Sequence, residues 1–209
     1  MELSIQREDQ RNRRDWMRGV GAAVLGTLLA RGAGAARRAR QVVVDPQQAM
    51  NLKSVYVYSF CRFVAWPAAA FDRPDAPLVI GVFGDDKMRD TLAEIAARRQ
   101  AQGRSLEIKK LASPDDGTPC HLVMITADVA ADKRQAMLKR LKGTAVLIVT
   151  EATGAGQEGA HVNFFLENAT VKFEINVPAA QASQLRIDPQ LTALKVAKLL
   201  GADAAARVN

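Results

Sequence analysis

Three short runs of apolar residues, Pro77 to Phe83, His121 to Ile125 and Ala145 to Val149, constrain this chain more than any other feature. Each is continuous rather than alternating, so each reads as a strand covered on both faces, as in a parallel sheet. The segments between them have helical character. Met88 to Gln100 places Met88, Leu92, Ile95 and Ala96 on one stripe and ends at Gly103, and Lys133 to Lys142 is capped by Asp132, carries Ala136, Met137, Leu138 and Leu141, and is closed by Gly143. Strands alternating with helices of this length predict an α/β domain with a mostly parallel sheet flanked by helices, a Rossmann-like half.

Other elements complete the expectation. A short extended segment at Val42 to Val44 precedes Asp45-Pro46, an N-cap followed by proline at the first helical position. Ala49, Leu52, Tyr56, Phe60, Phe63 and Val64 then recur at helical spacing, and the helix is expected to stop at Trp66-Pro67. Leu106 to Leu111 alternates as a strand. After the glycine-rich loop Gly154 to Gly159, strands Ala160 to Leu166 and Thr170 to Val177 are joined by Glu167-Asn168-Ala169, a C-terminal antiparallel hairpin. Pro178 to Gln184 and Pro189 to Leu200 read as closing helices.

The N-terminus has a different character. Five arginines between Met1 and Arg18 precede an apolar stretch of 12 residues, Gly19 to Ala30, too short to span a bilayer, and Ala33-Gly34-Ala35 supplies a cleavage pattern. Arg13-Arg14-Asp15-Trp16-Met17-Arg18 resembles a twin-arginine box. Residues 1–35 are therefore expected to be a signal peptide cleaved after Ala35, with the general secretory route or an uncleaved anchor as the other readings. Residues 36–46 form a basic flexible segment, 47–201 the domain and 202–209 a flexible tail. Without its leader the chain has 174 residues with 23 Lys+Arg against 18 Asp+Glu, a net charge of +5. The bases are not interleaved with aromatics, which argues against nucleic acid, and no second apolar run reaches membrane length. Export places the working domain in the periplasm.

Catalytic chemistry is sparse. His121 and His161 each open an apolar strand and read as strand-edge residues, and two His with two Cys do not make a metal site. Gly81-Val82-Phe83-Gly84 lacks the dinucleotide fingerprint, Asp85 and Asp86 read as helix caps, and no Lys-Ser/Thr follows Gly154, so no cofactor is expected. Cys61 and Cys120 are either two separate buried thiols or a bridge, both compatible with an oxidising compartment. Tyr58 and Arg62, four apart, fall on a helix face away from the core stripe. They are either an interface pair or a solvated one.

The residues Tyr58 to Pro67, Leu78 to Gly84, Cys120 to Ile125, Val146 to Val149 with Gly159, Val162-Asn163-Phe164-Phe165, Val171 to Asn176 and Leu185-Arg186-Ile187 together resemble the YfiR-like family of exported bacterial proteins. Trp66, Pro67, Gly84, Cys120, Asn163, Phe164, Phe173, Ile175 and Asn176 carry the signature, mainly in structural roles. The resemblance implies a compact α/β domain, often a homodimer, that acts in the periplasm without catalysis. It implies a partner in the periplasmic sensory domain of an inner-membrane diguanylate cyclase, held inactive, so that release raises cyclic-di-GMP and favours biofilm. A small-molecule binding module serving a transporter or sensor kinase, with its pocket near Gly84 and Thr126, is the alternative. The chain departs from the family pattern at Gly81, where the partner of Cys120 is expected, and at the Gly154 loop, where a second cysteine pair is absent. Gln184 replaces a glycine, and Asp188-Pro189 replaces a serine.

Overall fold

The computed structural model describes residues 45–201 apart from Thr118. The leader, the segment up to Val44 with its expected strand, and the C-terminal tail lie outside these residues. Helix α1 (Pro46–Phe63) begins as the sequence dictates, the Asp45 carboxylate accepting the Gln47 N–H at 2.9 Å. It ends at Phe63, three residues before Trp66-Pro67. The reason is long-range: β1 (Val64–Ala65) pairs antiparallel with β8 (Arg186–Ile187), a two-stranded sheet the sequence does not announce.

The main sheet has seven strands: β2 (Leu78–Phe83), β3 (Leu106–Leu111), β4 (Leu122–Ile125), β5 (Leu147–Thr150), β6 (Val162–Glu167), β7 (Thr170–Asn176) and β9 (Ala197–Leu200). Their order is β3-β2-β4-β5-β6-β7-β9. The first five run parallel, β7 is antiparallel to β6, and β9 is parallel to β7. Every residue of β2, β4 and β5 is buried, as continuous apolar runs require. The fold is thus the expected α/β class with a mostly parallel sheet and a C-terminal hairpin. The hairpin turns on Asn168 and Ala169, both at positive φ (50° and 57°), the geometry that matches the twist of the flanking strands.

Alternation along the strands divides the core in two. Val79, Phe83, Val123, Ile125 and Ile148 pack with Met137, Leu138 and Leu141 of α3 (Ala131–Leu141) in one cluster, which also holds Cys120. The opposite face carries α1, whose Tyr56 and Phe60 meet Phe164 of β6 and Phe173 of β7. Ring centroids lie 5.2 to 6.2 Å apart, and Phe173 meets both Tyr56 and Phe60 edge to face, an arrangement the ring quadrupoles favour. Helix α2 (Asp86–Ala96) lies against α1, where Ser54 Oγ donates to Met88 Sδ.

Three expectations are corrected. Helix α2 ends at Ala96 rather than Gln100, because Ala101 and Arg104 bridge in a tight turn with Gln102 and Gly103 at positive φ. Asp132 lies in the first turn of α3, where it favours the helix dipole; the N-cap is Ala130, with no side-chain hydrogen bond. The second closing helix is largely absent. After α4 (Val177–Ala182) the chain makes only the four-residue α5 (Pro189–Thr192), then extends as β9 because the free edge of β7 offers unpaired backbone groups.

Candidate functional site

The family-signature residues fasten backbone to backbone. Trp66 donates its indole N–H to the His121 carbonyl at 2.9 Å, and Pro67 fixes the entry to the turn 68–70. The last carbonyl of that turn, Ala70 O, lies 2.9 Å from His121 Nε2. His121 Nδ1 accepts the Val79 N–H at 3.0 Å while its own N–H donates to Val79 O, so the proton of the neutral ring belongs on Nε2. His161 repeats the device two strands further along the sheet, at the start of β6. Its Nδ1 accepts the Ile148 N–H at 2.9 Å, its N–H donates to Ile148 O, and Nε2 stands 3.1 Å from Ser183 Oγ. Each histidine thus locks the entry of one parallel strand onto its neighbour.

Burial pushes the His161 pKa down to about 4, and His121 shifts in the same direction for the same cause. Neither ring stands beside a thiol as a base. The sequence placed both histidines at strand starts; their pairing with the neighbouring strand needed the register.

Cys61 is wholly buried in α1 and Cys120 belongs to the cluster on the other side of the sheet; both thiols are free. The structure therefore does not bring this pair together. What lies beside Cys120 is Gly81: a Cβ built there would stand 2.8 Å from its sulfur. Burial raises the Cys120 thiol to about 11, far from the thiolate that reactivity requires, and raises Cys61 as well. Among the described residues no group of three His, Cys, Asp or Glu is placed to hold a metal ion.

Gly84, at φ +117°, closes the corner after β2. Thr126 Oγ1 fills that corner, 1.9 Å from where a Cβ on Gly84 would stand, accepting the Asp85 N–H at 2.8 Å and donating to Asp128. Thr126 and Asp128 thereby close the corner at Gly84 itself, and a cleft lined by Ala127 opens one residue further along the chain. Asn163 Oδ1 accepts from Thr150 Oγ1 (2.7 Å) and Ala152 N–H (3.1 Å), and its amide donates to Glu174. Asn176 caps α4 and holds Gly156 O, while Ile175 is fully buried.

The surface signature is at the far end of α1. Tyr58 and Arg62 are both half-buried, and they meet: the Arg62 guanidinium carbon lies 6.0 Å from the Tyr58 ring centroid and 5.7 Å from that of Phe63. The Tyr58 hydroxyl donates to Gln100 O at 3.1 Å. Gln102, at φ +55°, donates its amide to Cys61 O and Val64 O at 2.8 and 2.7 Å, satisfying carbonyls the helix end leaves open. Arg98 and Arg99, both exposed, immediately precede Gln100. The result is an aromatic side chain held between α1 and the turn that follows α2, and rimmed with positive charge. Sequence spacing paired Tyr58 with Arg62; the contribution of residues 98–102 comes only from the packing of α2 on α1.

Fold and surface together define a class: a mostly parallel α/β domain in which buried polar side chains fasten the sheet and a preordered aromatic and basic end is offered outward. No helix among the described residues is long and apolar enough to cross a membrane. The chain belongs to the YfiR/HmsC-like family, whose model matches residues 50–198, well over half of the sequence. That family is one of periplasmic regulators. Comparison with curated proteins returns no match to this chain.

Proposed function

We propose that this chain is an exported, non-catalytic regulator that binds the periplasmic sensory domain of an inner-membrane signalling protein, a diguanylate cyclase, and restrains it. The family match over residues 50–198 carries the reading, and the ordered Tyr58–Arg62 end of α1 is the surface through which it acts. Aromatic and arginine side chains already fixed in the free protein lose little conformational freedom on docking, the usual property of interface anchors. Arg62, Arg98 and Arg99 select an acidic partner surface and speed its encounter. A signal peptide over residues 1–35 delivers the domain to the compartment where that partner displays its sensory segment. The test is a pull-down from membranes with the mature domain. Wild type should recover a membrane protein bearing a periplasmic sensor, Arg62→Glu should not, and recovery of none by wild type would overturn the reading.

A further inference from the structure

A cleft of about 700 Å³ opens beyond the carboxyl end of β5, walled by α1, the Gly154 loop and the β6–β7 hairpin. Glu174 lines it and is only 8% exposed. Its Oε1 accepts one hydrogen bond, from Asn163 Nδ2 at 2.9 Å, and the amide cannot turn away because Thr150 and Ala152 engage its oxygen. Oε2 accepts nothing from the described residues. Lys53, which lines the cleft from α1, is committed to Glu151. Lys198 stands opposite Glu174 in the β7–β9 register, yet it is exposed and forms no ion pair with it. Glu174 is thus nine-tenths buried and anchored through one oxygen, while the other is left open to the cleft. Gly156 holds it in place: any Cβ there would come within 2.6 Å of Glu174 Oε1, so the loop packs directly against the carboxyl.

We propose that this cleft binds a small organic ligand through its ammonium group, received by the free oxygen of Glu174. An ammonium needs one carboxylate and a confined setting. A divalent metal ion needs several oxygen ligands, and no such group stands among the described residues. Phe165 and Leu166, the latter 56% exposed, give the cleft an apolar wall for the rest of the ligand. The inference is independent of the Tyr58–Arg62 surface.

The experiment is an NMR titration of the mature domain with butylammonium, and with 1-butanol as the neutral isostere, following the backbone amides of Asn163 and Leu166. Butylammonium should give saturable shifts that 1-butanol does not. Glu174→Gln should weaken butylammonium about tenfold or more, and Lys198→Met, which removes a like charge from the rim, should tighten it. Equal response to the alcohol, no saturable shift in the wild-type protein, or full retention by Glu174→Gln would each overturn the proposal. The comparison of the two probes on wild type decides the matter even if Glu174→Gln does not fold.

Discussion

At the scale of single residues, polar side chains in this protein are chiefly backbone partners, and their chemistry follows from that. His161 shows it most sharply. Its folded pKa of about 4 lies below the ordinary 6.5, so the unfolded chain takes up a proton first as pH falls. The stability its neutral form contributes is complete above pH 6.5 and is lost between about 6.5 and 4, amounting to about 3 kcal/mol. Urea unfolding at pH 7 and pH 4.5 should show that loss in the wild type and a smaller one in His161→Leu, which is already weaker at pH 7. Gly81 gives a second case. Its built Cβ lies 2.8 Å from Cys120 Sγ, close to the roughly 3 Å that disulfide geometry puts between one Cβ and the opposite sulfur. Gly81→Cys should therefore bond to Cys120 on oxidation, closing a loop of about 40 residues and stabilising by roughly 2–4 kcal/mol, with Leu111 shifting to make room. Mass measurement without reductant checks it, and should find two free thiols in the wild type. Gln184 gives a third. It stands at φ +59° where the family resemblance implies glycine, so Gln184→Gly should raise thermal stability by up to about 1 kcal/mol.

Among the elements, the sequence was most legible where a strand is buried on both faces. β2, β4 and β5 fall where their apolar runs stand, and α1 begins at its Asp-Pro signal. It was least legible where an element owes its existence to a distant partner. β9 is only four residues long, and Leu191, Leu194 and Lys198 around it fit a helical spacing equally well; the unpaired edge of β7 makes it a strand. The same holds for β1 and β8, two residues each. Their pairing brings the Leu185 segment under α1, where Asp188 N–H donates to Phe63 O at 2.8 Å. A chain truncated after Lys195 should lose β9, bare the β7 edge and become prone to self-association, read as larger species in sedimentation. An unchanged monomer-sized species of full stability would show that β9 contributes little.

For the whole molecule, the division of labour follows from the two faces of the sheet. One cluster with α3 and one aromatic cluster beneath α1 hold the domain rigid, and Tyr58, Arg62 and residues 98–102 borrow that rigidity at the surface. Of this proposed surface, spacing paired Tyr58 with Arg62, which meet in the structure. The rest was hidden because α2 and α1 are 22 residues apart in the chain and meet only in the fold. Trp66, Asn163 and Asn176 of the signature hydrogen-bond within the frame of the domain. On the proposed function, a cyclase is restrained through that end of α1. The most direct test is the intracellular cyclic-di-GMP level in cells carrying wild type, a deletion, or Arg62→Glu, with the variant's exported amount verified by immunoblot. The deletion should raise cyclic-di-GMP, and Arg62→Glu, present at wild-type abundance, should raise it equally. An unchanged level on deletion would contradict the proposed restraint.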